Sequence, residues 1–486
     1  MRSEHRPYLQ VMLRPPSDAM LARLASLLGS KGFTRDPDAM MPWLTDWRGR
    51  YRGACAALLA PATTTEVQAI VRLCADNHVA LVPQGGNSSM VGGATPDGGG
   101  GALLLSLRRM DRVRRVSHDD TLLIAEAGAT LSAVRDAAAT AGRRFPLSLG
   151  AKGSATVGGL VSTNAGGTQV LRHGTMRSLV AGLEAVLPSG DRLDGLAALK
   201  KDNRGYDVGH LLIGAEGTLG VVTAAALRLV PAISARAVAW AGVAEPHAAL
   251  ELLRRLDRGG AALESFELVP ASALRLVLDH IPGTRSPLAD AHPWNVLIEW
   301  VGDAANDRLE DALASAAADG LVADAALAAN EAQADAFWRL RDSISEAERI
   351  DGPAAKHDVS VPVSAMPGFI VDAAAATEAR FAGARVVAFG HLGDGNVHFN
   401  VRAPAHSNAG HWLAENGAAV TAFVHDLVVA AGGSISAEHG IGQLKLAELE
   451  RTGDPVRLAA QIAIKRALDP QGIMNPGKLV PAGATG

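Results

Sequence analysis

The chain has 486 residues, 48% hydrophobic and 20% charged, which is enough to bury large cores and suggests two or three domains rather than one. A formal net charge of -4, with no block of Lys and Arg and no interleaved aromatic platform, supplies no field for polyanions, so nucleic acid is not an expected partner. Cys55 and Cys74 are the only cysteines, too few for a disulfide framework or an iron–sulfur cluster, so any one-electron relay has to sit on another protein.

The opening MRSEHRPYLQVMLRPPSDAM has no continuous apolar run, and later runs such as residues 103–107 fall far short of the roughly 20 residues a membrane span needs. A cytoplasmic protein without a transmembrane segment is expected. Residues 1–53 read as a helical N-terminal segment. From residue 54 to 231 short apolar runs alternate with helical patterns: CAALLAP as strand, TTTEVQAIVRLCADNHV as helix, ALVPQGG as strand. Thr64 or Thr65 is the expected N-cap of that helix, and Val67, Ile70, Val71 and Cys74 fall on one face. Aromatics are only 4% of the chain, so its cores must be close-packed Ala, Leu and Val, which suits layered structure of helices on sheets.

Three glycine-bearing segments follow in this region. PQGGNSSMVGGATP (residues 83–96) comes directly after a strand; its glycines let the backbone approach a pyrophosphate, and Asn87, Ser88 and Ser89 can donate further hydrogen bonds. Taken alone it is equally an ordinary glycine-rich turn. SLGAKGSATVGGLVSTNAGGT (148–168) is a second cradle of this kind, and LLIGAEGTLGVVTAAALRLVP (211–231) sets a glycine turn between two expected apolar strands. None fits GxGxxG opening a helix or GxxxxGK[ST], which disfavours a nicotinamide enzyme or a nucleoside triphosphatase. DGGGG (97–101) reads as an exposed loop.

Beyond residue 231 longer Ala/Leu-rich helices (246–256 and 303–318) alternate with the strand-like VLIEWVG and VVAFGH, suggesting a second α/β domain. FWRLRDSISEAERIDGPAAKHDVSVP carries Trp338, Arg341 and Ser345 on one helical face, with Lys356 after a Gly-Pro break. Arg341 and Lys356 could hold a carboxylate, one through a planar fork and the other as a point charge, although by themselves both read better as solvated surface cations. GHLGDGNVHFN (390–400) reads as a hairpin that brings His391 near His398, with Asn400 alternating onto the face of His398. Glu438 and His439 follow a short strand at 433–436 and open a glycine turn. Two imidazoles and a carboxylate make a divalent-metal site with open positions, suited to Zn or Mn. Residues 443–468 are again helical in pattern, and the chain ends in the turn-rich DPQGIMNPGKLVP.

In this order the glycine segments resemble the vanillyl-alcohol-oxidase type of FAD-binding fold. KDNRGYD (201–207), GHLGDGNVHFN, SAEHGIG (436–442) and NPGKL (475–479) narrow the resemblance to the FAD-linked D-2-hydroxy-acid dehydrogenases, the branch acting on D-2-hydroxyglutarate and D-lactate. The resemblance implies an α+β or α/β chain with a two-subdomain FAD-binding domain at 54–232, an α/β substrate- and metal-binding cap at 233–442, and a C-terminal segment at 443–486 that packs back on the FAD domain. It implies FAD contacts from Pro83, Gly85, Gly86, Asn87, Ser88, Ser89, Gly92 and Gly93 in the first loop. From the second it implies Leu149, Gly150, Gly153, Ser154, Gly158, Gly159, Ser162, Thr163, Asn164 and Gly166. Gly217, Gly220, Val221, Val222, Asn475 and Lys478 complete the set. His391, His398 and Glu438 are the implied metal ligands and His439 the general base; Arg341, Ser345, Lys356, Asn400 and His439 are the implied substrate contacts. Ser89 stands where the family commonly has Gly, and Ser345 where it has Thr. No His precedes Asn87, where some relatives attach flavin, so non-covalent FAD is expected. The implied activity is metal-assisted oxidation of D-2-hydroxyglutarate to 2-oxoglutarate. D-lactate oxidation, or a flavin subunit of a respiratory complex like glycolate oxidase, is the alternative. Electron-transfer flavoprotein or a quinone is the expected acceptor, and a homodimer is a further expectation.

Overall fold

The computed structural model describes residues 12–257 and 263–481; the first eleven residues of the expected N-terminal segment and the last five of the C-terminal one lie outside that range. Helix Thr64–Asn77 shows how local sequence sets the first layer. Its N-cap is Thr63, one residue before Thr64 and two before Thr65: Thr63 accepts from the Glu66 N–H, and the Glu66 carboxylate returns to the Ala62 N–H at 2.6 Å. Val67, Ile70, Val71, Leu73 and Cys74 are buried, and the helix stops where His78 turns left-handed at φ 55°. That apolar face packs on a four-stranded sheet ordered Phe33–Thr34, Ala57–Leu59, Leu103–Ser106, Leu81–Gln84, whose three longer strands are parallel. The N-terminal segment is therefore more than helical: after helix Asp18–Gly32, Phe33–Thr34 joins the sheet edge antiparallel to Ala57–Leu59.

A second sheet is wholly antiparallel, in the order Val113–Ser117, Leu122–Glu126, Val221–Arg228, Val180–Val186, Arg192–Asp194. Only the second half of residues 211–231 is strand. The first half ends the short helix Val208–Leu212, capped by Asp207 on the His210 N–H, and Gly214, Gly217 and Gly220 then take positive φ to bend the chain into Val221–Arg228.

The third sheet has seven strands: Asp324–Leu327, Arg236–Val243, Trp294–Val301, Leu263–Pro270, Arg385–His391, Asn396–Arg402, Ala354–Ser360. Every pairing in it is antiparallel, although helices separate most of its strands in sequence. Alternation of helix and strand thus predicted the layers and not the strand directions. One face packs against helices Pro246–Asp257, Ala305–Ala318, Met366–Arg380 and Ala409–Ala430. The other packs against Ala271–His280, Glu331–Asp342 and Ile344–Asp351. Because side chains alternate, the strands that send Phe266, Phe399 and Val359 into the first core send Glu267, His398, Asn400, Lys356 and Asp358 to the opposite face. Phe389 pairs directly with His398 there, ring centroids 5.0 Å apart, and His391 follows two residues later on the same face. This polar end of a buried sheet builds the site.

The segment expected as strand at residues 433–436 makes only an isolated bridge, Ser434 with Ser360. The expected C-terminal helix is two, Leu446–Thr452 and Pro455–Leu468, broken where Asp454 caps the second with Pro455 at its first turn. The tail then returns to the first sheet: Met474 bridges Leu81, and Asn475 Nδ2 donates to the carbonyls of Gly93 and Glu216 at 2.9 and 2.7 Å.

Candidate active site

The three glycine segments and the polar end of the seven-stranded sheet enclose one cavity of about 1490 Å³. That exceeds the roughly 300–1,000 Å³ of a typical small-molecule pocket and leaves room for a dinucleotide with substrate beside it. The first loop contributes Pro83, Gly85, Gly86, Asn87, Ser88, Ser89 and Gly93; the second Leu149, Gly150, Gly153, Ser154, Gly158, Gly159, Ser162, Thr163 and Gly166; the third Gly217, Gly220, Val221 and Val222. Glycine is required where the loops touch: a Cβ on Gly86 would run into the Ser154 carbonyl, and one on Gly167 into that of Ser148. Gln84 Oε1 and Thr156 Oγ1 are buried in this wall without a partner among the described residues, as expected of groups that face a bound polar molecule.

Gly92, Asn164, Asn475 and Lys478, expected against the cofactor, sit behind the wall. Gly92 turns at φ 69° against Gln443; the Asn164 carboxamide oxygen accepts the Arg177 N–H at 2.9 Å; Asn475 staples the first loop to the third; Lys478 Nζ donates to the Pro476 carbonyl. Glu216, between the glycines of the third loop, was not singled out by sequence. Its carboxylate accepts the Ile441 and Gly442 N–H groups at 2.7 Å each, tying the glycine loop to the segment just after His439. No side chain suited to covalent flavin attachment stands at the position before Asn87, which is Gly86. Acid precipitation is expected to release a yellow supernatant, and a fluorescent protein band surviving denaturing electrophoresis would contradict this.

At the far end the hairpin Arg385–His391 and Asn396–Arg402 sets the His391 and His398 rings 5.6 Å apart. Glu438 completes the expected trio, whose candidate ligand atoms lie within 4.8 Å of one another. His391 is oriented by a residue that sequence did not pick out. Glu267 Oε1 meets His391 Nδ1 at 2.7 Å, so the other ring nitrogen faces Glu438 Oε1 at 3.9 Å. Burial would lower the His391 pKa, but Glu267 outweighs it and raises the value to about 9. Burial pushes Glu438 up to about 7 and His398 well below its ordinary value. These residues fit a divalent ion: the donor set is right, and a carboxylate fixes one imidazole from behind.

His439 also has an unforeseen partner. Asp358 Oδ2 lies 3.1 Å from its Nδ1 and accepts the backbone N–H groups of Glu438 and His439 at 3.0 Å each, while Oδ1 takes the Asn396 carboxamide at 2.9 Å. This holds the ring with Nε2 free for the cavity that His439 lines. Burial lowers the His439 pKa, only partly offset by Asp358, so the ring is neutral at pH 7 and can accept a proton.

Trp338, Arg341 and Ser345 line the same cavity, from two helices rather than one, since the chain breaks at Ser343 between Glu331–Asp342 and Ile344–Asp351. Arg341 is buried, gives Nε to Glu267 Oε2 at 2.8 Å and lies over the Phe389 ring at 5.1 Å. No protein acceptor among the described residues takes its terminal nitrogens. Lys356 and Asn400 depart from expectation: neither lines the cavity, and both are bound to Glu348, Asn400 Nδ2 at 2.8 and 2.9 Å and Lys356 Nζ at 3.2 Å.

Residues 55–195 match the family described as FAD binding domain, and residues 233–479 the family described as FAD linked oxidases, C-terminal domain. The structure superposes on p-cresol methylhydroxylase with a TM-score of 0.71, covering 95% of this chain and 96% of that one at 15% identity, which establishes the vanillyl-alcohol-oxidase type of fold. The class is that of FAD-dependent oxidoreductases. A D-2-hydroxyglutarate dehydrogenase of Arabidopsis thaliana, named as mitochondrial, is 37% identical over 94% of this chain and 80% of its own. One from Xanthomonas citri pv. viticola is 37% identical over 95% and 97%, and a Schizosaccharomyces pombe chain named for D-lactate dehydrogenase is 33% identical over 95% and 89%. The chain belongs to the FAD-linked oxidase family and is one of its FAD-dependent dehydrogenases acting on a hydroxy acid. No helix among the described residues is long and apolar enough to cross a membrane.

Proposed function

We propose that the protein oxidises D-2-hydroxyglutarate to 2-oxoglutarate with non-covalent FAD and a divalent ion, Zn or Mn, held by His391, His398 and Glu438. One observation carries the reading: a buried arginine with unclaimed terminal nitrogens, Arg341, lines the same cavity as the trio and His439, so one molecule can present an α-hydroxy acid to one end and a second carboxylate to the other. When bound, FAD supplies the hydride acceptor at N5 and the ion supplies a Lewis acid at the hydroxyl and C1 carboxylate. His439 Nε2 takes the hydroxyl proton as C2 loses its hydride, which balances the two-electron oxidation. Asp358 keeps the ring turned and stabilises the imidazolium that forms. Arg341 would pair with the distal carboxylate and so hold the substrate in one orientation in the cavity. The acceptor in this reading is electron-transfer flavoprotein or a quinone, the setting is the cytoplasm, and the assembly is a homodimer.

The test compares two substrates. Arg341→Ala should cost about 1.5–3 kcal/mol on D-2-hydroxyglutarate, roughly 10- to 150-fold in kcat/KM, from loss of charge-assisted hydrogen bonds. D-lactate, without the second carboxylate, should lose far less. Equal losses at unchanged FAD content, or a wild type that prefers D-lactate, would overturn the dicarboxylate assignment.

A further inference from the structure

The Lys445 ammonium is buried, and it donates to two backbone carbonyls rather than to a carboxylate: Ile435 at 2.8 Å and Asp358 at 3.2 Å. Taking an ammonium out of water is costly. Those two dipoles offset the cost, as do the charges of Asp358 and Glu216, which work against the lowering of the Lys445 pKa by burial. The two carbonyls belong to the two chain segments that build the proton-accepting end of the cavity. Ile435 opens the stretch that carries Glu438 and His439. Asp358 is the residue whose carboxylate meets His439 Nδ1 at 3.1 Å and accepts the N–H groups of residues 438 and 439. The stretch also closes on itself. Ser436 Oγ donates to the Gly440 carbonyl at 2.6 Å, Glu216 holds the Ile441 and Gly442 N–H groups, and the Lys445 N–H donates to the Ile441 carbonyl at 3.0 Å. The ammonium then completes the ring on Ile435, ten residues back, with Glu438 and His439 inside it.

We infer that Lys445 is a positioning residue for the oxidation: its buried ammonium closes the loop 435–445 and clamps it to the strand of Asp358, so that His439 presents Nε2 to the cavity at a fixed place. The inference rests on the reading that His439 takes the substrate hydroxyl proton. Lys445 is not among the residues lining the cavity and touches no reacting atom; it acts through Asp358 and His439. An apolar side chain of the same length would fill the space but leave two buried carbonyls without a donor, a cost the chain can relieve by letting the loop and the strand part. The imidazole then moves relative to the substrate. Arg341 and Ser345 stand on helices Glu331–Asp342 and Ile344–Asp351 and keep their places, so the loss falls on the chemical step and not on binding.

The experiment is single-turnover bleaching of the flavin by D-2-hydroxyglutarate in the FAD-loaded full chain, with divalent metal saturating. Lys445→Met should slow bleaching about 10- to 100-fold, the scale of a small misplacement of a reacting group, and leave the apparent Kd of the substrate within about twofold. The double variant Lys445→Met/His439→Ala should bleach within about threefold of His439→Ala alone, because residues that act as one unit lose their effect once. A lysine that only stabilised the fold would add its own loss. Bleaching by Lys445→Met at the wild-type rate, a loss shared with substrate affinity, or full additivity in the double variant overturns the inference. Should Lys445→Met fail to hold FAD, Lys445→Ala purified with n-propylammonium supplies the cation from outside. Dialysing the amine away should slow bleaching at constant FAD content, and n-propanol should not restore it. A rate unchanged by dialysis, FAD lost together with the amine, or equal rescue by the alcohol overturns the inference as well. Failure of the underlying reading looks different, since His439→Ala itself then bleaches at the wild-type rate whatever stands at 445.

Discussion

His439→Ala is expected to lower kcat on a D-2-hydroxy acid by about 10²- to 10⁴-fold, the range for removing a positioned general base. The flavin should remain bound, because the glycine loops that line the cavity keep all their own residues and the backbone N–H of residue 439 still has Asp358 to donate to. Single-turnover bleaching of the flavin, with D-hydroxy acid in excess, isolates the step. The sign of the pH dependence follows from burial. With its pKa below the ordinary imidazole value, His439 is already unprotonated at neutral pH, so the rate should be flat from neutrality upward and fall on the acid side. With metal kept saturating at every pH, that acid limb should disappear in the variant. Retention of wild-type bleaching rates by His439→Ala would transfer the proton-accepting role to another group. Asp358→Asn tests orientation separately: it keeps the ring but removes the charge that faces Nδ1, and a loss smaller than that of His439→Ala is expected.

What was legible in the sequence was what chain proximity encodes. The His391 and His398 hairpin could be read because a Gly-Asp-Gly-Asn turn between alternating residues leaves little choice of register, and the glycine loops because three of them occur in order, although one alone reads equally as an ordinary turn. Glu267 and Asp358 were not legible. Each lies in a strand, where an acid reads as one more outward-facing position, and their partners are remote: Glu267 meets His391 from 124 residues away. The same distance hides Glu348. In sequence it is one acid in a charged helix, SEAERID, and only the packing of that helix against strands Ala354–Ser360 and Asn396–Arg402 shows that it captures Lys356 and Asn400. The strand directions of the large sheet were hidden for a related reason, since helices between strands are compatible with either sense once the connections are long enough.

Removing the divalent ion by exhaustive chelation is expected to abolish turnover and leave the flavin in place, since the trio of His391, His398 and Glu438 and the glycine loops share no side chain. The protein's own groups make the site sensitive to protons. Glu267 holds His391 at a pKa of about 9, and burial holds Glu438 at about 7, so an ion entering at neutral pH must displace protons that both groups would otherwise keep. Metal affinity should therefore weaken as pH falls, with proton release on binding measurable by titration in buffers of different ionisation enthalpy. Glu267→Ala removes the support behind His391 without touching a ligand, and the usual cost of such a change is about 10- to 100-fold in metal affinity. Because Glu267 also takes Nε of Arg341, the same variant should raise KM for D-2-hydroxyglutarate more than for D-lactate, so one carboxylate links metal retention to recognition of the far end of the substrate. Elemental analysis of the purified variant, with a chromophoric chelator in competition, measures the first effect, and the two-substrate comparison measures the second. Full activity in a preparation shown to be metal-free would remove the ion from the mechanism and leave Glu267 as the partner of Arg341 alone.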